Sequence, residues 1–135
     1  MIRRLVYVLA RAAFGAKFAR DGYENLTDID DIVEFADGAG VPYASVLVPA
    51  ASLLLLVGGI LLALGIAPIL GVIAIATFLL GVTPEMHDFW HETGEERTEE
   101  FDSFLRNIAF LGAAVAFWLV SRRRGQTATK ELPVE

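Results

Sequence analysis

Between Asp37 and Glu85 the chain carries no Asp, Glu, Lys or Arg, and the intervening stretch from Gly38 to Pro84 is dense in Leu, Ile, Val, Ala and Gly. A helix rises about 1.5 Å per residue, so a hydrocarbon core of about 30 Å is crossed by about 20 apolar residues. The uncharged stretch is long enough for two crossings, and Gly65-Ile66-Ala67-Pro68 is a natural break near its middle. Lipid is therefore the expected solvent for most of this chain.

Composition agrees. Of 135 residues, 55% are hydrophobic, against roughly 45–50% in an ordinary soluble domain. A single integral membrane domain over residues 1–135 is expected. With no Cys, a disulfide framework, a thiol redox centre, a Cys-ligated metal and an iron–sulfur cluster are all excluded. Arg11 and Lys17 interrupt what would be the apolar core of a signal peptide, so the N-terminal segment reads as a retained helix.

The net charge of −6 is sorted by position. Seven acids follow the first hydrophobic segment: Asp21, Glu24, Asp28, Asp30, Asp31, Glu34 and Asp37. Eight more precede the last: Glu85, Asp88, Glu92, Glu95, Glu96, Glu99, Glu100 and Asp102. Bases gather at the ends, as Arg3 and Arg4 and as Arg122, Arg123, Arg124 and Lys130. Four spans are expected, at about 2–18, 43–64, 68–82 and 104–121, with a polar tail over 122–135. Cytoplasmic loops and ends carry the excess of Lys and Arg, so an even number of crossings puts both basic ends on one side. The expected arrangement is an all-α, four-helix transmembrane bundle in the plasma membrane. Both termini and the Gly65–Pro68 turn are then cytoplasmic, and both acidic loops face outward.

The first outer loop should hold a short amphipathic helix. Thr27 with Asp30 resembles a capping box, and Ile29, Ile32, Val33 and Ala36 follow helical spacing. Gly38-Ala39-Gly40 ends it. Pro49 and Pro84 are expected to kink or end their spans. Small residues recur four apart at Ala12/Ala16, Gly15/Ala19, Gly59/Ala63, Ala109/Ala113 and Gly112/Ala116, a spacing that lets helix backbones approach closely in lipid.

Four stretches of this sequence carry a family likeness. They are Gly15-Ala16-Lys17-Phe18 at the end of the first span, Phe35-Ala36-Asp37-Gly38-Ala39-Gly40-Val41-Pro42 after the amphipathic helix, the Leu53–Gly65 run with its Gly58-Gly59, and Met86-His87-Asp88-Phe89-Trp90 leading to Phe104-Leu105-Arg106-Asn107-Ile108-Ala109. In order and spacing the chain resembles the DoxX family of small four-span membrane proteins over roughly Arg4 to Arg124. The resemblance implies a link to redox metabolism, some relatives being small subunits of a thiosulfate:quinone oxidoreductase. Many relatives carry a glutamate just before the paired glycines, and here that place falls near Leu55.

Few residues suit chemistry. A guanidinium within a span costs at least roughly 2.5–3.5 kcal/mol on insertion scales, so Arg11 faces the bundle interior, water or an interface. It reads either as an anion or quinone-oxygen contact, with Trp90 and Arg106, or as a residue that pairs with a carbonyl or an acid or snorkels to an interface. Lys17 and Arg106 are expected to snorkel at the outer face. His87 and His91 would share a helix face at i and i+4, a spacing used by two-His metal sites, and a solvated acidic loop is the plain alternative. Phe89, Trp90, Phe101, Phe104 and Trp118 read first as interfacial anchors.

The leading expectation is an accessory membrane subunit of a quinone-linked redox system, without catalytic activity of its own. The competing expectation is a small transporter or cation-binding protein using the outer His/acid loop. A structural packing module is the third. The expected partners are the lipid bilayer and other redox subunits, with no nucleic acid. The sequence leaves the oligomeric state open.

Overall fold

The computed structural model describes residues 1–86 and 93–130. Among these are five helices and no strand: α1 (Ile2–Thr27), α2 (Ile29–Gly38), α3 (Ala44–Leu64), α4 (Pro68–Met86) and α5 (Gly94–Lys130). The all-helical architecture and the short α2 match expectation.

The boundaries differ where charge was taken as the end of a helix. α1 was expected to stop near residue 18 and instead continues to Thr27. Lys17 pairs with Asp21, and Arg20 Nε donates to Glu24 Oε1 at 2.8 Å, both at i,i+4. Such pairs support a helix through the polar stretch. Two acids assigned to the outer loop, Asp21 and Glu24, therefore belong to α1. Thr27 does not cap α2; its hydroxyl donates to the Glu24 carbonyl at 2.8 Å and closes α1. Asp28 starts α2 without a side-chain cap. α5 likewise overruns its expected 104–121 at both ends; its 37 residues reach about 55 Å. Neither Pro49 nor Pro84 ends a helix. Pro49 lies in the second turn of α3, where it leaves the Ser45 carbonyl without its helical donor.

Two kinds of interface hold the helices. α1 runs antiparallel to α3 with backbones in contact. A Cβ built on Gly15 would lie 2.5 Å from Ala63 N, and one on Gly59 would lie 2.4 Å from Ala19 N. One on Gly22 would lie 2.5 Å from Leu56 N. Gly58 and Gly71 seat α3 against α4 in the same way, with Gly71's Cβ position 2.6 Å from the Gly58 carbonyl. α5 packs against α4 and closes the ring to α1 through side chains. Phe14 and Phe18 meet Phe110 at ring distances of 6.5 and 5.4 Å, and Phe14 meets Phe117 at 5.1 Å. Phe18, Leu55, Leu62, Val72, Ile75, Leu79 and Ala114 form the shared core. Of the small-residue pairs, Gly15/Ala19 and Gly59/Ala63 face each other, whereas Gly112 and Ala116 are exposed.

The outer faces are apolar. Val46, Leu53, Val57, Ile60, Leu70, Ile73, Leu80, Ile108 and Leu119 all point away from the core. Among the described residues, two helices are long and apolar enough to cross a membrane, within Ala44–Leu64 and Gly94–Arg124, and Pro68–Gly81 is a shorter apolar helix. Of the apolar part of α5 only 6% is buried within the chain, against 28% for α3, so its apolar surface needs an apolar medium. α1 is not among those helices, because Arg3, Arg4, Arg11, Lys17, Arg20, Asp21 and Glu24 are spread along it.

The register explains where those charges sit. Gly15 and Gly22 bracket Lys17 and Asp21 and lie against the 52–63 stretch of α3, so the ion pair falls alongside the apolar body of α3. Lys17 was expected to snorkel to an interface. Instead it is paired with Asp21, and its ammonium also lies 5.0 Å from the ring centres of Phe18 and Phe110. Pairing and ring contact both lessen the cost of placing a charge beside an apolar helix.

Candidate functional site

The same register moves Arg11 to the end of the bundle. By hydropathy it lies within a span, yet its guanidinium stands over Gly65, the first residue of the α3–α4 turn. A Cβ on Gly65 would lie 2.5 Å from Arg11 Nη2 and 2.7 Å from Cζ, so a side chain there would displace the guanidinium. Gly65 also has φ +73°, in the left-handed region that glycine enters without a Cβ clash. Two requirements thus converge on one residue.

Around Arg11 lies a pocket of about 560 Å³, lined by Arg4, Tyr7, Val8 and Arg11 of α1, by Ala67–Leu70 at the start of α4, and by Ser121 and Arg124 of α5. Tyr7 organises it. Its hydroxyl is hydrogen-bonded to Ser121 Oγ at 2.9 Å across 114 residues of sequence. The Arg124 guanidinium carbon is 4.0 Å from the Tyr7 ring centre and that of Arg11 is 5.6 Å away. The ring therefore holds two cations at one site through its negative faces. Arg11 Nε is buried and has no hydrogen-bond acceptor.

A second cavity, about 690 Å³, opens at the α2 end between α2, α3 and α4. Its walls are mainly apolar, including Ile32, Phe35, Val48, Leu54 and Phe78. Asn25, Ser52 and Thr77 supply polar groups, of which the Thr77 hydroxyl is already donated to the Ile73 carbonyl at 2.8 Å. Clefts of roughly 300–1,000 Å³ with few polar groups suit small apolar ligands. Leu55, where relatives often carry a glutamate, is 1% exposed and belongs to the core.

The expected site residues separate. Arg11 lines the turn-end pocket, while Arg106 is exposed on α5 and is not among its lining residues. Fifteen residues of helix part Arg106 from Ser121, about 22 Å along the axis. Trp90, His87 and His91 lie outside the described residues. Among the described residues no three His, Asp or Glu side chains gather as a metal site would need. Tyr7 and Ser121 escaped sequence reasoning because nothing local links positions so far apart. Arg4 and Arg124 carried a signal, but as markers of sidedness rather than as a site.

Substituting Gly65 by alanine should destabilise the chain by about 1–2 kcal/mol through its left-handed backbone. It should also push Arg11 out of the turn. Ala67, a non-glycine at φ +51°, gives the opposite expectation: Ala67→Gly should be neutral or stabilising. Thermal unfolding of both variants in one detergent checks the pair, and equal effects would contradict the turn geometry.

The family model described as DoxX matches residues 6–88, more than half of the chain. The match takes in α1 from residue 6 onward and α2 to α4, and therefore Arg11 and the α2-end cavity; Arg4 and α5, with Ser121 and Arg124, lie beyond it. No curated protein and no solved structure matches the chain.

Proposed function

The chain belongs to the DoxX family of membrane proteins, and on that premise we propose that it is an accessory integral subunit of a quinone-linked redox system. In this reading it sits in the plasma membrane with α1, α3, α4 and α5 as four spans and both basic ends in the cytoplasm. The charge sorting favours that orientation, since Arg3, Arg4 and Arg122–Arg124 share the end that carries the Gly65–Pro68 turn.

The observation that carries the redox reading is the α2-end cavity. Its volume of about 690 Å³ accommodates a quinone ring with the start of its isoprenoid tail, and its apolar walls suit both. Asn25 and Ser52 offer hydrogen bonds to a ring oxygen, yet neither side chain titrates near neutral pH. Such a cavity holds a quinone and leaves electron and proton transfer to a partner subunit. Arg106, exposed on α5, and Trp90 remain the groups proposed to contact the ligand or its partner near the outer surface.

Organic extraction of the gently purified protein tests this. Quinone should be recovered, and Gly81→Leu should lower its recovery severalfold. Gly81 lines the cavity, and a Cβ there meets no atom within 4 Å, so the larger side chain is expected to narrow the cavity mouth without moving backbone. Quinone-free wild-type protein that also lacks co-purifying oxidoreductase subunits would refute the assignment. Reporter fusions after Asp30, after Glu96 and at the C-terminus should read outside, outside and inside. Either loop scoring cytoplasmic would refute the four-span arrangement.

A further inference from the structure

We propose that the turn-end pocket is a binding site for the phosphate of an anionic phospholipid headgroup. The pocket gathers three guanidinium groups, Arg4, Arg11 and Arg124, and its lining contains no Asp or Glu. None of the three has a carboxylate partner among the described residues; the ion pairs of α1 are formed instead by Lys17 and Arg20. Like charges held together without a counter-charge repel one another. An oxyanion between them removes that repulsion.

Arg11 gives the sharper argument. Its buried Nε has no acceptor, and an unsatisfied buried donor costs about 1–3 kcal/mol, more when charged. A phosphate oxygen in the pocket supplies the missing acceptor. Guanidinium groups meet phosphate through paired N–H donors, and the arrangement here is set in advance. Tyr7 is fixed through Ser121, and its ring positions Arg11 and Arg124. Preorganised donors bind with less ordering cost than mobile surface arginines.

Depth identifies the source of the phosphate. The apolar body of α3 ends at Leu64, and Arg11 stands level with the next residue. In a chain whose outer faces are solvated by lipid, that level is where acyl chains give way to headgroups. Val8 and Leu70 line the same pocket and are exposed on the lipid side, at 36% and 60%. They provide an apolar path for the acyl chains directly beside the cations. Basic pockets between membrane helices recognise anionic headgroups by this combination. The inference depends on the membrane environment of the bundle and not on the quinone assignment.

The test uses the full chain in detergent, titrated with phosphatidylglycerol, phosphatidylcholine or inorganic phosphate, with thermal unfolding and native mass spectrometry as readouts. Phosphatidylglycerol should bind and raise the unfolding temperature, and phosphatidylcholine should do neither. Arg11→Gln/Arg124→Gln should weaken binding by at least about tenfold, and raising salt from about 0.1 M to 1 M should weaken it in the wild type. Arg97→Gln, exposed and remote on α5, should leave binding unchanged. If Arg11→Gln fails to fold, Arg4→Gln/Arg124→Gln, both exposed, must still lower affinity. Equal binding of the two lipids, or full binding by the double variant, overturns the proposal. Saturation by inorganic phosphate without preference for phosphatidylglycerol overturns the lipid source and assigns the pocket to a free anion.

Discussion

Replacing Gly59 by isoleucine should unfold the bundle at α1. At Gly59 even the first side-chain atom would lie 2.4 Å from Ala19 N, 2.6 Å from the Gly15 carbonyl and 2.8 Å from Ala19 Cα. These are backbone atoms of a helix, and no rotamer change removes them. α1 and α3 must separate, and the loss spreads to Gly15, Ala19 and Ala63. In lipid there is no hydrophobic drive to restore the contact, because tails solvate Leu as well as a neighbouring helix does. A loss of about 3 kcal/mol or more is expected, at the upper end of overpacking effects. Gly112→Ala is the matched control: its Cβ meets nothing within 4 Å, so the change should stay within about 0.5 kcal/mol. Denaturation of the reconstituted variants reports both. A Gly59→Ile chain as stable as the wild type would show that α1 and α3 do not pack through these glycines.

Phe18→Ala should be nearly as damaging, by a different route. The α1–α5 seam is spaced by rings rather than closed by backbones, and Phe18, 2% exposed, is its centre. It stands edge-on to Phe14 at 5.0 Å and to Phe110 at 5.4 Å. Truncation leaves a cavity that rigid helices close only in part, for about 3 kcal/mol. Loss of the ring also removes one of the two ring contacts of the Lys17 ammonium, 5.0 Å away. The reading to make is unfolding stability together with the rate of disulfide trapping between cysteines placed on α1 and α5 of this cysteine-free chain. Phe18→Leu should recover most of both, whereas Leu119→Ala, on an outward face, should change neither appreciably. An unaltered trapping rate in Phe18→Ala would contradict the ring-spaced seam.

The two variants mark the limit of what local pattern can reveal. Gly15/Ala19 and Gly112/Ala116 have the same spacing, yet one closes on a neighbour and the other faces outward. Spacing shows that a helix has a smooth stripe; only a partner's register shows whether it is used. The α2 helix and the Gly65–Pro68 turn were legible because each depends on a few adjacent residues. The end of α1 was not, because charge was read as departure from the membrane. In the fold, Lys17–Asp21 and Arg20–Glu24 neutralise each other along the helix and let it continue.

Arg11 followed the same course. Its cost within an apolar segment was plain from hydropathy, and so was its interest, but its depth was not. Depth along α1 is set by where α3 ends, and α3 is placed by glycine contacts whose positions no hydropathy profile contains. Composition and charge placement were enough to establish a helical chain solvated by lipid, because those properties sum over residues independently of their neighbours. The pairing of Tyr7 with Ser121, the gathering of Arg4, Arg11 and Arg124, and the pairing of Lys17 beside α3 depend on register between distant segments. Register is set by interlocking shape, a property of two surfaces at once, and it exists only when the helices have packed.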